Sequence, residues 1–207
     1  MSNYKIGFIG GGNMASSLMG GLLADGEAAS HIWVSDPSEA CLENLAKRFN
    51  INVCQDNKEL VRAVDQVVFA VKPQVMQEVA SELKDVINEH KPLVISIAAG
   101  IRESNLSAWL GEDVCIVRTT PNTPALVQSA ATVLYANKQV TSAQRDQAES
   151  IMRAVGVTVW VEDESMMDAV TALSGSGHAY LFLVMEMMEH AGQKLGLPQD
   201  EIGRAHV

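Results

Sequence analysis

The chain has 207 residues, 47% hydrophobic and 19% charged, and its 15 Lys and Arg against 25 Asp and Glu give a formal net charge of −10. At ~150 residues per domain, that length makes one domain and a remainder of roughly fifty residues. The acidic balance argues against nucleic acid or an anionic membrane face as a partner, so any phosphate ligand has to be held locally by backbone N–H groups.

Cys41, Cys54 and Cys115 are far apart and show no C-x-x-C spacing, which suggests neither a disulfide framework nor a zinc site. His31, His90, His178, His190 and His206 do not pair at ligand spacing, so no metal is expected. The first apolar run, Ile6 to Ile9, meets three glycines at once, and no stretch approaches ~20 apolar residues. A soluble cytoplasmic protein without a membrane partner is expected.

From the N-terminus to about residue 163, β-branched runs alternate with stretches of helical period. Strands are expected at Lys5–Ile9, Ile32–Val34, Ile51–Val53, Val67–Val71, Leu93–Ile97, Val114–Val117, Thr132–Tyr135 and Val157–Val161. Between Pro73 and His90 the residues Val75, Val79, Leu83, Val86 and Ile87 recur at spacings of three and four, predicting an amphipathic helix with Pro73 in its first turn. Thr141 and Gln144 form a capping-box pattern, opening a helix that turns Ile151, Met152 and Val155 inward. Such alternation predicts an α/β, doubly wound, mainly parallel, Rossmann-like sheet.

From Ser165 onward the strand pattern stops, and Ala179 to Met188 is apolar almost all round. A helix without a polar face needs cover on every side, which points to burial against a partner chain; the competing reading tucks it against the first domain. The chain therefore divides into a dinucleotide-binding domain, 1–163, and the start of an all-helical domain, 164–207. Leu197 to Ile202 reads as the opening turn of a further helix, so the second domain is expected to be truncated at Val207.

The strongest motif is Gly10-Gly-Gly-Asn-Met-Ala15, a G-x-G-x-x-A sequence that follows a strand and opens a helix running to about Leu23. Gly10 permits the tight turn, Gly12 lets a pyrophosphate approach the backbone, and Ala15 lets helix and strand pack closely. Asp36 lies just past the second strand, where a ribose-binding carboxylate is expected. Asp36-Pro-Ser-Glu39 is also a good helix start, and the two roles can coexist. Asn57, before Lys58-Glu59, is likewise a candidate cap that can face the adenosine ribose.

The order of Ile6-Gly-Phe-Ile-Gly-Gly-Gly-Asn-Met-Ala15, Ala70-Val-Lys-Pro73, Ser96-Ile-Ala-Ala-Gly100, Pro121-Asn-Thr-Pro124 and Leu173-Ser-Gly-Ser-Gly177 resembles the pyrroline-5-carboxylate reductase family over nearly the whole chain. The resemblance implies reduction of the cyclic imine 1-pyrroline-5-carboxylate to L-proline with NADPH or NADH, the last step of proline biosynthesis. It implies a homo-oligomer, a dimer or larger, joined through the C-terminal helices. It places the pyrophosphate on Gly10, Gly11, Gly12, Asn13, Met14 and Ala15, and the adenosine ribose near Asn57, while at Asp36 many family members have a hydroxyl residue instead. The nicotinamide half would be lined by Ala70, Val71, Lys72, Pro73, Ile97, Ala98 and Ala99, with Asn122, Thr123, Ser174, Gly175 and Ser176 in the vicinity of nicotinamide and substrate. The plainer reading of Lys72-Pro73 is a strand-to-helix turn with a solvated lysine, and that of Pro121 to Pro124 is a rigid turn.

Two departures stand out: Thr120 where the family usually has methionine, and His178 where it usually has proline. With His178, φ is not fixed and an N–H is present, so a looser helix start is expected there. The family's Ser-Pro-Gly-Gly-Thr segment, which holds the substrate carboxylate and imine, falls beyond Val207. No catalytic residue is therefore assigned, and the 207-residue chain is expected to be impaired as an enzyme.

The preference between cofactors stays open. A carboxylate at Asp36 disfavours a 2′-phosphate, whereas Ser35, Ser38, Asn57 and Lys58 are able to donate to one. Two other functions compete: a related reductase or hydroxyacid dehydrogenase, for which Lys194 near a helix end would be a poor proton donor, and a nucleotide-binding chain without activity.

Overall fold

A computed structural model describes residues 4–198. Eight strands form one sheet in the order β3-β2-β1-β4-β5-β6-β7-β8. They are β1 Ile6–Ile9, β2 Ile32–Ser35, β3 Asn52–Cys54, β4 Gln66–Phe69, β5 Leu93–Ser96, β6 Ile116–Thr120, β7 Ala130–Ala136 and β8 Gly156–Trp160. All neighbouring pairs are parallel except β6 with β7, where Thr120 stands opposite Val133. The expected runs are all present, with ends displaced by a few residues, and the mainly parallel doubly wound sheet is as the sequence predicts.

The helices are α1 Asn13–Ala24, α2 Glu39–Phe49, α3 Asn57–Ala63, α4 Pro73–His90, α5 Glu103–Leu110, α6 Ser142–Arg153, α7 Met166–Val170 and α8 Gly177–Lys194. Helices α1 to α6 cover the two faces of the sheet through separate cores. One joins Phe8, Leu18, Val34, Val68 and Ile151 beneath α1 and α6; the other joins Phe69, Leu83, Ile87, Leu106 and Ile116 beneath α3, α4 and α5. Strands buried on both faces read as continuous apolar runs, which is why β1, β4 and β5 are plain in the sequence.

Helix α4 has the expected limits but a different inward stripe. Met76 and Ala80 are fully buried beside Leu83, Val86 and Ile87, while Val75 is exposed and Val79 half-buried. The 3.6-residue period fits either Val75 or Met76 as the first inward position, and contact with the sheet selects the second. In α6 the capping box is formed: the Thr141 side chain accepts from the N–H of Gln144, and the Gln144 side chain accepts from the N–H of Thr141.

The helix after β2 starts later than its Asp-Pro-Ser-Glu pattern suggests. Ser38, not Asp36, is the cap and accepts from the N–H of Cys41, with Glu39 as the first helical residue. Similarly, Asp56 caps α3, accepting from the N–H of Lys58, and Asn57 is its first residue. Both aspartate and asparagine readings as caps are thus corrected, and both side chains are committed elsewhere.

The last described helix departs most from an ordinary surface helix. None of the residues of α8 is buried, and its large apolar side chains, Tyr180 to Met185 with Met187 and Met188, are each at least half exposed. It does not tuck against the sheet domain. The proposed start of another helix at Leu197 to Ile202 extends outside the described residues.

Candidate nucleotide-binding site

The sheet order reverses between β1 and β4, so the crevice beyond their carboxyl ends is where a doubly wound sheet takes its ligand. Gly10 ends β1 there with φ +99°, and its N–H donates to the carbonyl of Ser35 at 2.8 Å. A Cβ at Gly10 would lie 2.8 Å from the carbonyl oxygen of Ala70 at the end of β4. Backbone conformation and backbone contact both require glycine, whether or not a ligand is present.

Gly12 is different. It precedes α1 in extended conformation, and a Cβ there would meet nothing within 4 Å. The space above it and the free N–H groups of the first turn of α1 form the cradle that a pyrophosphate needs. Ala15 is fully buried against the core, so a larger side chain would push α1 away from β1. Asn13 is exposed beside Gly12 and Met14 is half-buried. The residues present fit a dinucleotide on steric grounds.

Asp36 grips the loop. One carboxylate oxygen accepts from the N–H of Gly11 and the other from the N–H of Ser38, each at 2.9 Å. Ser35 donates its hydroxyl to the amide oxygen of Asn57 at 2.7 Å, which places Asn57 beside Asp36 at the end of β2 and leaves its NH2 group as donor. Lys58 is 3.7 Å from Glu82. Cys41 reaches the Gly11 carbonyl, and its thiol pKa is raised by burial and then by Asp36.

The other expected residues gather along the same carboxyl edge. Ala70 donates its N–H to Ile9, and Ile97 donates to Phe69, so both follow their strands directly. Lys72 is exposed and caps α4 through its backbone, with Pro73 as the first helical residue. Ala98 is buried and Ala99 exposed. Among the described residues, no group of His, Cys, Asp or Glu is placed to hold a metal, and no helix is long and apolar enough to cross a membrane.

Asn122 joins the sheet domain to the helical segment. Its side-chain NH2 donates to the carbonyl of Ser174 at 3.1 Å, and its side-chain oxygen accepts from the N–H of Ala131 at 3.0 Å. Thr123 is exposed at the start of the turn that follows. Ser174 and Gly175 lie in a π-turn over Thr171–Gly175, a wide-helix geometry that loosens the i→i−4 ladder, and Ser176 precedes α8 without a side-chain cap. His178 follows, its Nδ1 3.3 Å from the Ser174 carbonyl and its ring edge-on to Phe182. Asn122→Ala would leave the partly buried Ala131 N–H without its acceptor. A loss of about 1–3 kcal/mol is expected by denaturant unfolding, with Asn122→Asp recovering the Ala131 bond but not the Ser174 one.

The sequence offered no sign of a second bridge. Arg118, almost fully buried on β6, pairs with Glu164, which also accepts from the N–H of Glu103 at 2.6 Å. These residues lie 46 and 61 positions apart, so no local pattern could connect them. Thr120 is buried at the end of β6, and its hydroxyl has no partner among the described residues.

A family model described as NADP oxidoreductase coenzyme F420-dependent matches residues 5–100, and one described as pyrroline-5-carboxylate reductase dimerisation matches residues 164–205. The pyrroline-5-carboxylate reductase of Pseudomonas aeruginosa is 48% identical over 99% of this chain and 74% of its own length. The chain belongs to the pyrroline-5-carboxylate reductase family. Its solved relatives include the enzyme of Coxiella burnetii, with a TM-score of 0.93 at 43% identity, covering 97% of this chain and 74% of that one. The Plasmodium falciparum enzyme with NADP bound gives a TM-score of 0.86 at 32% identity, covering 97% and 73%. The protein is accordingly an NAD(P)H-dependent oxidoreductase that reduces 1-pyrroline-5-carboxylate to proline, and its C-terminal region is an oligomerisation region.

Proposed function

We propose that residues 1–163 form the dinucleotide-binding domain and that residues 164–207 begin the helical domain through which copies of this chain associate as a dimer or larger homo-oligomer, in the cytoplasm. In this reading the backbone of Gly10 to Ala15 holds the pyrophosphate, Asp36 and Asn57 face the adenosine ribose, and Ala70 to Pro73 with Ile97 to Ala99 line the nicotinamide half. The observation that carries it is the open space over Gly12 beside the β1–β4 switch point.

When bound, a reduced nicotinamide supplies the hydride that the imine carbon accepts. The chain's own part is positioning: the loop fixes one end of the dinucleotide, while Asn122 holds the Pro121–Pro124 turn against Ser174 and so sets the distance between the nucleotide domain and the helices. Thr123, Ser174, Gly175 and Ser176 then stand around the substrate and exclude water from it. A cyclic imine can arrive already protonated, so no side-chain acid is required of these residues.

Cofactor preference rests on Asp36. Two unit charges ~4 Å apart at an effective dielectric of ~20 interact by roughly 4 kcal/mol, which would strongly disfavour a 2′-phosphate facing the carboxylate. Solvent and salt reduce this, and both oxygens of Asp36 already accept backbone N–H bonds that spread its charge. A mild preference, with both cofactors accepted, is expected. Dissociation constants for NADH and NADPH should shift toward NADPH by about threefold to tenfold in Asp36→Ser. An unchanged ratio would show that Asp36 only braces the loop and does not read the ribose.

A further inference from the structure

A second cleft lies at the other end of the sheet. It has a volume of about 730 Å³ and opens at the amino ends of β1, β4, β5 and β6, where Lys5, Asp65, Leu93 and Cys115 line it. The nucleotide loop sits beyond the carboxyl ends, so the two sites are separated by the length of the strands.

The cleft inverts the charge of the protein. In a chain of net charge −10, Lys5, Arg62, His90 and Lys91 converge on it, and Asp65 is the one carboxylate among its described lining residues. That carboxylate is already engaged, accepting from the N–H of Lys5 at 2.8 Å. None of the four basic side chains enters an ion pair among the described residues, although seven such pairs occur elsewhere. The first turn of α6 also faces the cleft through Thr141, Ala143 and Gln144. Helix-start N–H groups and the unpaired Lys5, Arg62 and Lys91 act in the same direction, favouring a multiply charged anion, with the His90 ring beside them.

An independent observation comes from the pocket next to it. This smaller space, about 230 Å³, shares Tyr4 and Gln147 with the cleft and is lined further by the apolar Ile6, Leu22 and Ile151 and by Gln66, Ser150, Asp146 and Glu27, the last of which is paired with His31. At its wall stands Gln66, 3% exposed, whose amide oxygen has no hydrogen-bond partner among the described residues. A buried amide oxygen without a partner costs free energy, and the primary amide that carries it has an NH2 donor beside that acceptor. The edge of a heterocyclic base has the complementary arrangement.

We propose that this end of the sheet is a binding site for a nucleoside phosphate distinct from the catalytic dinucleotide, with its phosphates on Lys5, Arg62, His90 and Lys91 and its base in the Tyr4–Gln147 pocket against the amide of Gln66. Free inorganic polyphosphate shares the first half of this chemistry and lacks the second, which separates the two sources.

The test is calorimetric titration of ATP, and in parallel of tripolyphosphate, into the protein saturated with NADPH so that the catalytic cradle is filled. The expected result is one ATP bound per chain. The double variant Arg62→Glu with Lys91→Glu should weaken both ligands at least tenfold and leave NADPH affinity unchanged. Gln66→Leu, which replaces the unpartnered amide with an apolar side chain and should fold at least as stably, should weaken ATP at least fivefold while leaving tripolyphosphate alone. Absence of ATP binding to the NADPH-loaded protein, or binding indifferent to the charge reversal, would overturn the site. Equal response of ATP and tripolyphosphate to Gln66→Leu would overturn the nucleoside assignment.

Discussion

Gly12→Val should bind NADPH at least a hundredfold more weakly than the native chain while unfolding at nearly the same temperature. The two halves of that expectation come from one geometric fact. A Cβ at Gly12 meets nothing within 4 Å, so the folded protein has room for the branched side chain, but the room it takes is that of the pyrophosphate. A hundredfold loss corresponds to about 2.7 kcal/mol, less than the several kcal/mol expected where a desolvated phosphate is pushed off its backbone donors. Gly10→Val provides the contrast. At φ +99° a β-branched residue is strained, and its Cβ would press on the Ala70 carbonyl, so this variant should lose both binding and stability. Fluorescence titration of NADPH together with thermal unfolding of the two variants checks both. Native affinity in Gly12→Val would remove the loop from the cofactor site; a large drop in its melting temperature would mean that the glycine serves the fold instead.

How far the sequence revealed this arrangement depends on how local each determinant is. The central strands were legible because a strand covered on both faces is apolar along most of its length, as β1, β4 and β5 are apart from Gln66 and Ser96 at the ends of β4 and β5. The cradle was legible because its glycines sit between a strand and a helix within a few residues. The phase of α4 was misjudged since Val75 and Met76 are adjacent and both apolar, and only contact with the sheet distinguishes them. Asp36 was misjudged as a helix cap because Asp36 and Ser38 both suit a helix start. What decides between them is the N–H of Gly11, which is 25 residues away and occupies the Asp36 carboxylate. The Arg118–Glu164 pair, the clamp of Asn122 on Ser174 and the unpartnered amide of Gln66 arise wholly from tertiary placement. The family resemblance located Asn122 and Ser174 near the substrate without showing that one holds the other.

Leu181→Glu combined with Met185→Glu should convert the protein to monomers at concentrations where the native chain is fully associated. Helix α8 has 18 residues, about 27 Å of length, and no buried position. An isolated helix of that size is marginal in water, so its order depends on packing against something. The preceding turn and the sheet supply too little: Tyr180 to Met185, Met187 and Met188 are each 51–69% exposed within one chain. Complete burial of such a side chain contributes roughly 1.5–3 kcal/mol, so the exposed fraction of eight of them offers on the order of 7–14 kcal/mol before the roughly 4–15 kcal/mol cost of association is subtracted. Two such helices facing each other double the gain, which places a dimer within reach, and a match of residues 164–205 to a dimerisation model agrees with that face being covered. Two carboxylates on this face would each have to be desolvated without a partner, costing several kcal/mol apiece. The sheet domain does not rest on these side chains and should keep its NADPH affinity. Sedimentation equilibrium over a concentration series decides the matter, since an unchanged association constant in the double variant would mean that the copies meet on some other surface.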